Sequence, residues 1–374
     1  MGGGDVDLFI GYGGRTKMDK RVDSNLLLDM SGMLNDIGFN LDDELGVANM
    51  AEYHYDDGAV YGFPTKYENS RWILINEDMF KEAGLDIPYD GWTYSEFLAD
   101  AEKLTHGEDQ DKVYGVCWAR KQSGKSILYA LDGVLGANQI YKNEEGTEVN
   151  FDNDVYRAGF NLVKETLDKG YAIPIEDEFS EDISVANTFL QGKCAIMLGV
   201  AQMRLCMDQE NYPHDFTTAL VPAPVPDDEK YNTEFYRKQI GTTGAGDLLS
   251  ISANTKYPEA SFEFAMWYLK GGMSPLVQGG RIPLWNGVNK DEVLSVLKEK
   301  AQGSIDMDSM ENYLSLDTTQ GVAAIKGHAS SEISSAWFEE FDAMCYGKQS
   351  VDQTVQNMEK RGNELIQTEL SSQK

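Results

Sequence analysis

The chain has 374 residues, of which 41% are hydrophobic and 25% charged, and its formal net charge is −30. That length exceeds what one hydrophobic core usually fills, so two domains or lobes are expected. So acidic a chain repels nucleic acid and anionic membrane surfaces, but not a small neutral ligand, because the field is screened over about 10 Å at ordinary salt.

The elements alternate in type along the chain, which favours an α/β fold. Val6–Ile10 reads as a strand that follows Met1-Gly2-Gly3-Gly4 directly, with no signal-peptide pattern before it. Leu26-Leu27-Leu28 and the acidic Asp42-Asp43-Glu44 follow, and then Gly58–Thr65, two short extended pieces broken by Gly and Pro. Arg71–Ile75 is a strand, Asn76 caps a helix through Glu82, and Gly84 stops it. Thr93 and Glu96 form a capping box for a helix running to Leu104. Val113–Trp118 is a strand, and 153–169 is an amphipathic helix with Phe160, Val163 and Leu167 at core spacing, ended by Gly170. Ala186–Leu190 reads as the end of a helix, and Gly192–Gly199 as turn, strand, turn. Pro222, Pro224 and Pro226 predict an extended, linker-like piece. Leu248–Ser252 is strand-like, Pro258 opens a helix over Glu259–Leu269, and the last hundred residues are mostly helical. No linker divides the chain into halves, so the two lobes are expected to exchange the chain several times.

No apolar run approaches the roughly 18 residues that span a bilayer. Cys117, Cys194, Cys206 and Cys345 form no CxxC pair and read as buried free thiols, a disulfide being the alternative. His54, His106, His214 and His328 are scattered, with no ligand spacing, so neither a metal nor a cofactor is indicated.

Several landmarks occur together and in order. Tyr61-Gly62-Phe63-Pro64-Thr65 is followed by a polar stretch and by Ile75–Leu85, then by Gly91–Phe97 and Ala101–Thr105. Phe189–Met197, Gly246–Ala260 and Gly347–Asp352 come later. In this order the run resembles the extracellular solute-binding proteins of ABC importers, the carbohydrate family that includes the maltose-binding protein. The resemblance implies a periplasmic-binding-protein-like fold, two α/β lobes joined by a multi-crossing hinge and closing over a ligand. We place 1–66 and 250–310 in one lobe, and 67–249 and 311–374 in the other. Relative to the family, Asp5–Phe9 matches a strand usually preceded by "GxxPD", so the signal and first β-α-β unit of the first lobe are expected to be missing here. The resemblance further implies a monomer exported to the outer face of the membrane or the periplasm, lipoprotein-anchored. Its partners would be a small-molecule ligand, a carbohydrate, and the permease subunits, with no cofactor.

Sugars present hydroxyls and apolar ring faces, so aromatic platforms beside oriented polar groups are the candidates for binding them. Tyr12 follows the first strand, where the family often places ligand contacts; a turn tyrosine is the alternative. Tyr67, Glu68, Asn69 and Arg71 match a contact-bearing segment, or else a solvated hinge loop. Trp118, Arg120 and Lys121 end a strand at another contact loop, and Trp118 is divided between ligand and core. After Gly199 the family commonly has a sugar-stacking tryptophan; here Val200-Ala201-Gln202-Met203-Arg204 stands, leaving Gln202 and Arg204 as candidates and departing from a maltodextrin-type site. Gly241–Asp247 could bring amides and Asp247 to the ligand, and Trp285 is a further aromatic candidate, whereas Trp337 reads as core. Arg71, Arg120, Lys121 and Arg204 would suit an acidic sugar if two of them face it, and otherwise they pair with surface carboxylates.

Two other functions fit the composition. One is a glycan-acting enzyme such as a glycoside hydrolase, which needs two carboxylates flanking one bond; no nucleophile elbow or P-loop accompanies it. The other is a same-fold sensor or adhesion protein not coupled to import.

Overall fold

The computed structural model describes residues 6–12, 14–50, 53–67, 69, 71–123, 135, 140–239, 247–272, 274–316 and 327–372. Its contacts divide the chain into two units. The first holds Met1–Asn69, Gly241–Glu299 and Asp317–Ala323; the second holds Ser70–Ile240, Lys300–Leu316 and Ala324–Lys374. The chain therefore passes between units near 69, 240, 299, 316 and 323, where the sequence places exchanges at 66, 249 and 310.

The first unit is organised by one late strand. β1 (Leu8–Gly11) and β2 (Phe63–Pro64) both pair antiparallel with β7 (Leu248–Ile251), giving the order β1-β7-β2. All four residues of β7 are buried, as expected of a central strand covered on both faces. Phe63, Leu249 and Ile251 join Met30, Leu45, Phe262 and Leu284 in this unit's core. Pro258 occupies the first turn of helix Pro258–Trp267, where its missing N–H costs nothing. The expected continuation to Leu269 takes another form: Tyr268–Gly272 is a π-type turn. Of the two extended pieces expected in 58–65, only Phe63–Pro64 pairs as a strand.

The second unit contains β3 (Trp72–Asn76), β4 (Tyr114–Cys117), β5 (Cys194–Leu198) and β6 (Thr218–Pro222) in the order β4-β5-β3-β6. β4 and β5 are parallel, and β3 runs antiparallel to both of its neighbours. Asn76 caps helix Glu77–Glu82 as expected, and Gly84 then takes φ +68°, a left-handed stop. The capping box forms in full: the Thr93 hydroxyl accepts from the Glu96 N–H at 3.3 Å, and the Glu96 carboxylate from the Thr93 N–H at 2.7 Å. The helix it starts, Tyr94–Leu104, approaches β4 so closely that a Cβ on Gly115 would stand 2.2 Å from the Ala101 carbonyl oxygen. Val185–Phe189 is a π-type turn rather than the end of a longer helix.

The proline-rich stretch corrects the sequence reading. β6 enters it as a buried strand, and Pro222, Ala223, Pro224, Val225 and Pro226 are buried too, so it is not a linker. The Trp92 indole N–H donates to the Pro222 carbonyl at 2.9 Å, locking the segment to the aromatic core of Trp92, Phe97 and Trp118. Trp337 is core, stacked on Phe341 at 4.8 Å.

Candidate functional site

In the first unit, the strand edge around β2 and β7 gathers polar groups. The Tyr67 N–H donates to the Ile282 carbonyl at 2.7 Å, and Lys66 bridges Pro283 antiparallel, so segment 65–67 lies along segment 281–284. Asp247 immediately precedes β7, whose neighbour is β2. Three charges therefore meet: Lys66 Nζ lies 3.1 Å and Arg281 Nη1 3.6 Å from the same Asp247 Oδ2. The second distance is too long for a hydrogen bond, and Arg281 Nη1 is buried without one. Two cations thus approach one carboxylate oxygen.

Aromatic side chains flank it. Burial raises the Tyr268 phenol above its ordinary range; Arg281 opposes that rise, and Tyr12 and Asp247 add to it, so these four groups share one neighbourhood. Tyr12 itself is 62% exposed at the end of β1. The Tyr67 phenol is raised by burial, opposed by a hydrogen bond from Asn69, which is fully buried. Trp285 packs against the edge of the core, and its indole N–H donates to Glu44 Oε2 at 2.6 Å. Its ring lies over Gly287, where a Cβ would stand 2.3 Å from Cζ2. Asp247 can accept hydrogen bonds and Arg281 can donate them to a polar ligand, with Tyr12 and Tyr268 offering ring surface.

The second unit uses its candidates otherwise. The Arg120 guanidinium forms a two-pronged pair with Asp342, at 2.7 and 2.8 Å, and lies 4.1 Å over the Phe338 ring. Beneath it, Glu178 is fully buried. Desolvation pushes its carboxyl up to about 7, against the backbone N–H groups of Arg120, Lys121 and Ala119 and the charge of Arg120. Arg120 is thus matched by acidic groups of its own unit, a correction to its reading as an anion contact. Lys121 donates to the Phe179 carbonyl at 3.3 Å. Trp118, left by the sequence between core and ligand, is core: 1% exposed, with its indole N–H donating to Thr166 Oγ1 at 2.9 Å. Arg71 is buried, and its carbonyl accepts from the Ala223 N–H at 2.7 Å. Arg204 is exposed and donates to Gln202 Oε1 at 3.3 Å, directly after Gly199. Glu68 and residues 241–246 lie outside the described residues.

Residues 1–270 match the bacterial extracellular solute-binding protein family. The chain belongs to that family. A solute-binding protein captures rather than transforms its ligand, so the chain is not an enzyme and the glycosidase alternative falls. Solved structures agree on the fold over nearly the whole chain. A sugar transporter protein from Rhizobium etli, in an open conformation, is 18% identical with a TM-score of 0.72, covering 97% of this chain and 86% of its own. An ABC substrate-binding protein from Listeria monocytogenes in complex with cycloalternan is 16% identical, TM-score 0.71, covering 98% and 86%. The sugar-binding protein MalE from Xanthomonas citri is 15% identical, TM-score 0.68, covering 98% and 85%. Among the described residues, no helix of this solute-binding protein is long and apolar enough to cross a membrane, and no group of three or more His, Cys, Asp or Glu could hold a metal ion.

Tyr12, Tyr67, Asn69, Asp247 and Trp285 thus belong to the first unit, where Tyr12 and Asp247 share the neighbourhood of Tyr268, and the buried Trp118, Arg120 and Arg71 belong to the second. Sequence reasoning misses Lys66, Tyr268 and Arg281. Lys66 stands beside a candidate and Arg281 four residues before another, but only the pairing of the two segments reveals that they share Asp247.

Proposed function

We propose that this solute-binding protein is the capture subunit of an ABC importer for a sugar or oligosaccharide, acting on the outer side of the membrane with permease subunits as partners. The observation that carries the reading is the Lys66–Asp247–Arg281 group with Tyr12 and Tyr268 in its neighbourhood. Neutral hydroxyls need donors and acceptors in fixed positions, and sugar ring faces need aromatic surface; this group supplies both. The ligands named for the Listeria and Xanthomonas structures are of the same chemical class. Arg281, whose Nη1 makes no hydrogen bond, extends the reading to acidic sugars, whose carboxylate or sulfate suits an Arg fork.

A thermal-shift screen over neutral, uronic and sulfated mono- and oligosaccharides tests this. A ligand binding only the native state stabilises it by about 2.7 kcal/mol at a hundredfold excess over Kd. Asp247→Asn is expected to cut affinity for the hit by about tenfold or more, since it removes a charged acceptor that would bind ligand hydroxyls and hold Arg281 in place. A protein whose Tm no saccharide moves, or one that binds equally well as Asp247→Asn, would overturn the assignment.

A further inference from the structure

Helix Pro258–Trp267 buries Ser261, Phe262, Ala265 and Met266 against the first unit's core. Its outer face keeps two large rings in water: Phe264 is 49% and Trp267 56% exposed. Such rings left in solvent forgo roughly 1.5–3 kcal/mol each of burial, so a use for them is worth seeking.

The rings are ordered. Phe264 and Trp267 have centroids 5.4 Å apart, and Phe264 stacks on Tyr268 at 6.4 Å and 25°. A Cβ on Gly272 would stand 2.5, 2.6 and 2.8 Å from Trp267 Cζ3, Cε3 and Cη2. Three such similar distances place that point above the ring face rather than beyond its edge. The indole therefore lies flat on the bare glycine backbone at the end of the π-type turn Tyr268–Gly272, one face covered and the other toward solvent. Tyr268 also belongs to the neighbourhood of Arg281, Asp247 and Tyr12. The rings thus continue outward from the polar group: Tyr268, Phe264, Trp267.

We infer that Trp267 and Phe264 form an outer stacking subsite for an oligosaccharide whose polar end is held at Asp247 and Arg281. The inference rests on the reading of that polar group as a sugar site. A flat, supported indole face suits a sugar ring, which stacks, better than a protein knob, which inserts. An anionic membrane surface is disfavoured by the net charge of −30 and by the exposed Glu259 and Glu263 on the same helix.

Calorimetric titration of wild type, Trp267→Ala, Trp267→Phe, Gly272→Ala and Asp247→Asn with a disaccharide and a hexasaccharide of the series found in the screen tests it, with circular dichroism confirming the fold. Trp267→Ala is expected to weaken hexasaccharide binding about tenfold and leave the disaccharide unchanged, and Trp267→Phe to restore most of the loss. Gly272→Ala, which lifts the ring, should resemble Trp267→Ala. Equal hexasaccharide affinity in wild type and Trp267→Ala, with Asp247→Asn still impaired, would overturn the subsite and spare the inner site. Loss of both sugars in Trp267→Ala would also overturn it. If no saccharide binds wild type, the inner assignment and this one fall together. Sedimentation with 3:1 phosphatidylethanolamine–phosphatidylglycerol vesicles that Trp267→Ala abolishes would assign the face to lipid instead.

Discussion

The six tryptophans divide by unit. Trp72, Trp92, Trp118 and Trp337 of the second unit are no more than 2% exposed, whereas Trp267 of the first is 56% exposed and Trp285 is half-buried. Charges divide similarly. Arg120 of the second unit is matched by its own carboxylate, Asp342, over a second, Glu178, while Lys66 and Arg281 of the first share one. The second unit commits these tryptophans and this arginine to its frame, whereas the first leaves the Trp267 ring half in solvent and sets two cations around one largely buried carboxylate. A residue type alone therefore says little about role until its partners are known.

The comparison breaks most directly at Asp342. Replacing it with alanine removes the two-pronged partner of the mostly buried Arg120 guanidinium and leaves it only Glu178, at an expected cost of about 3 kcal/mol in urea unfolding. The double variant Arg120→Met, Asp342→Leu is expected to recover most of that cost. A single variant as stable as wild type would mean that the second unit's charges are not structural.

Glu178 gives the next largest effect, through pH. Its carboxyl is raised in the folded protein to about 7 from an ordinary 4.5, so the native state holds a proton that the unfolded chain releases earlier. Its contribution is therefore fully present below about pH 4.5 and is lost as pH rises through about 7, a total of about 2–3 kcal/mol. The stability of Glu178→Gln relative to wild type should thus rise by that amount between pH 4.5 and 8. A pH-independent difference would show that the carboxyl titrates normally.

The smallest effect expected is that of Thr93→Ala, which removes half of a capping box and costs about 1 kcal/mol. Because the change lies in the second unit's frame, saccharide affinity should stay at the wild-type value. A loss of affinity without further loss of stability would blur the division.

Much of the frame was legible because it is written in local chemistry. Asn76, Thr93 with Glu96, Gly84, Gly170 and Pro258 each act within a turn of where they stand, so their signals needed no tertiary knowledge. β6 escaped because its prolines read as breakers. Its ladder partner is β3, with Thr218 also bridging Ile305, and Pro222 sits at its very end, where a missing N–H is tolerated. Trp118 could not be assigned because a residue just past a strand end can turn inward or outward, and only Thr166 and Phe97 decide it. The Lys66–Asp247–Arg281 group draws on three segments, the first far along the chain from the other two, a convergence no local pattern encodes.

β7 has a consequence for the order of assembly. Among the described residues it is the strand that joins β1 to β2, yet it lies some 240 residues after the first of them. While the chain emerges from a ribosome, β1 and β2 have no sheet to join until residue 251 appears, whereas all four strands of the second unit are complete by residue 222. The first unit's loop-closure entropy is thus offset only late, and its unpaired strand edges stay open in the interval. The sheet of the unit that carries the proposed binding chemistry is then the later of the two to close, and a holding chaperone would find open strand edges there.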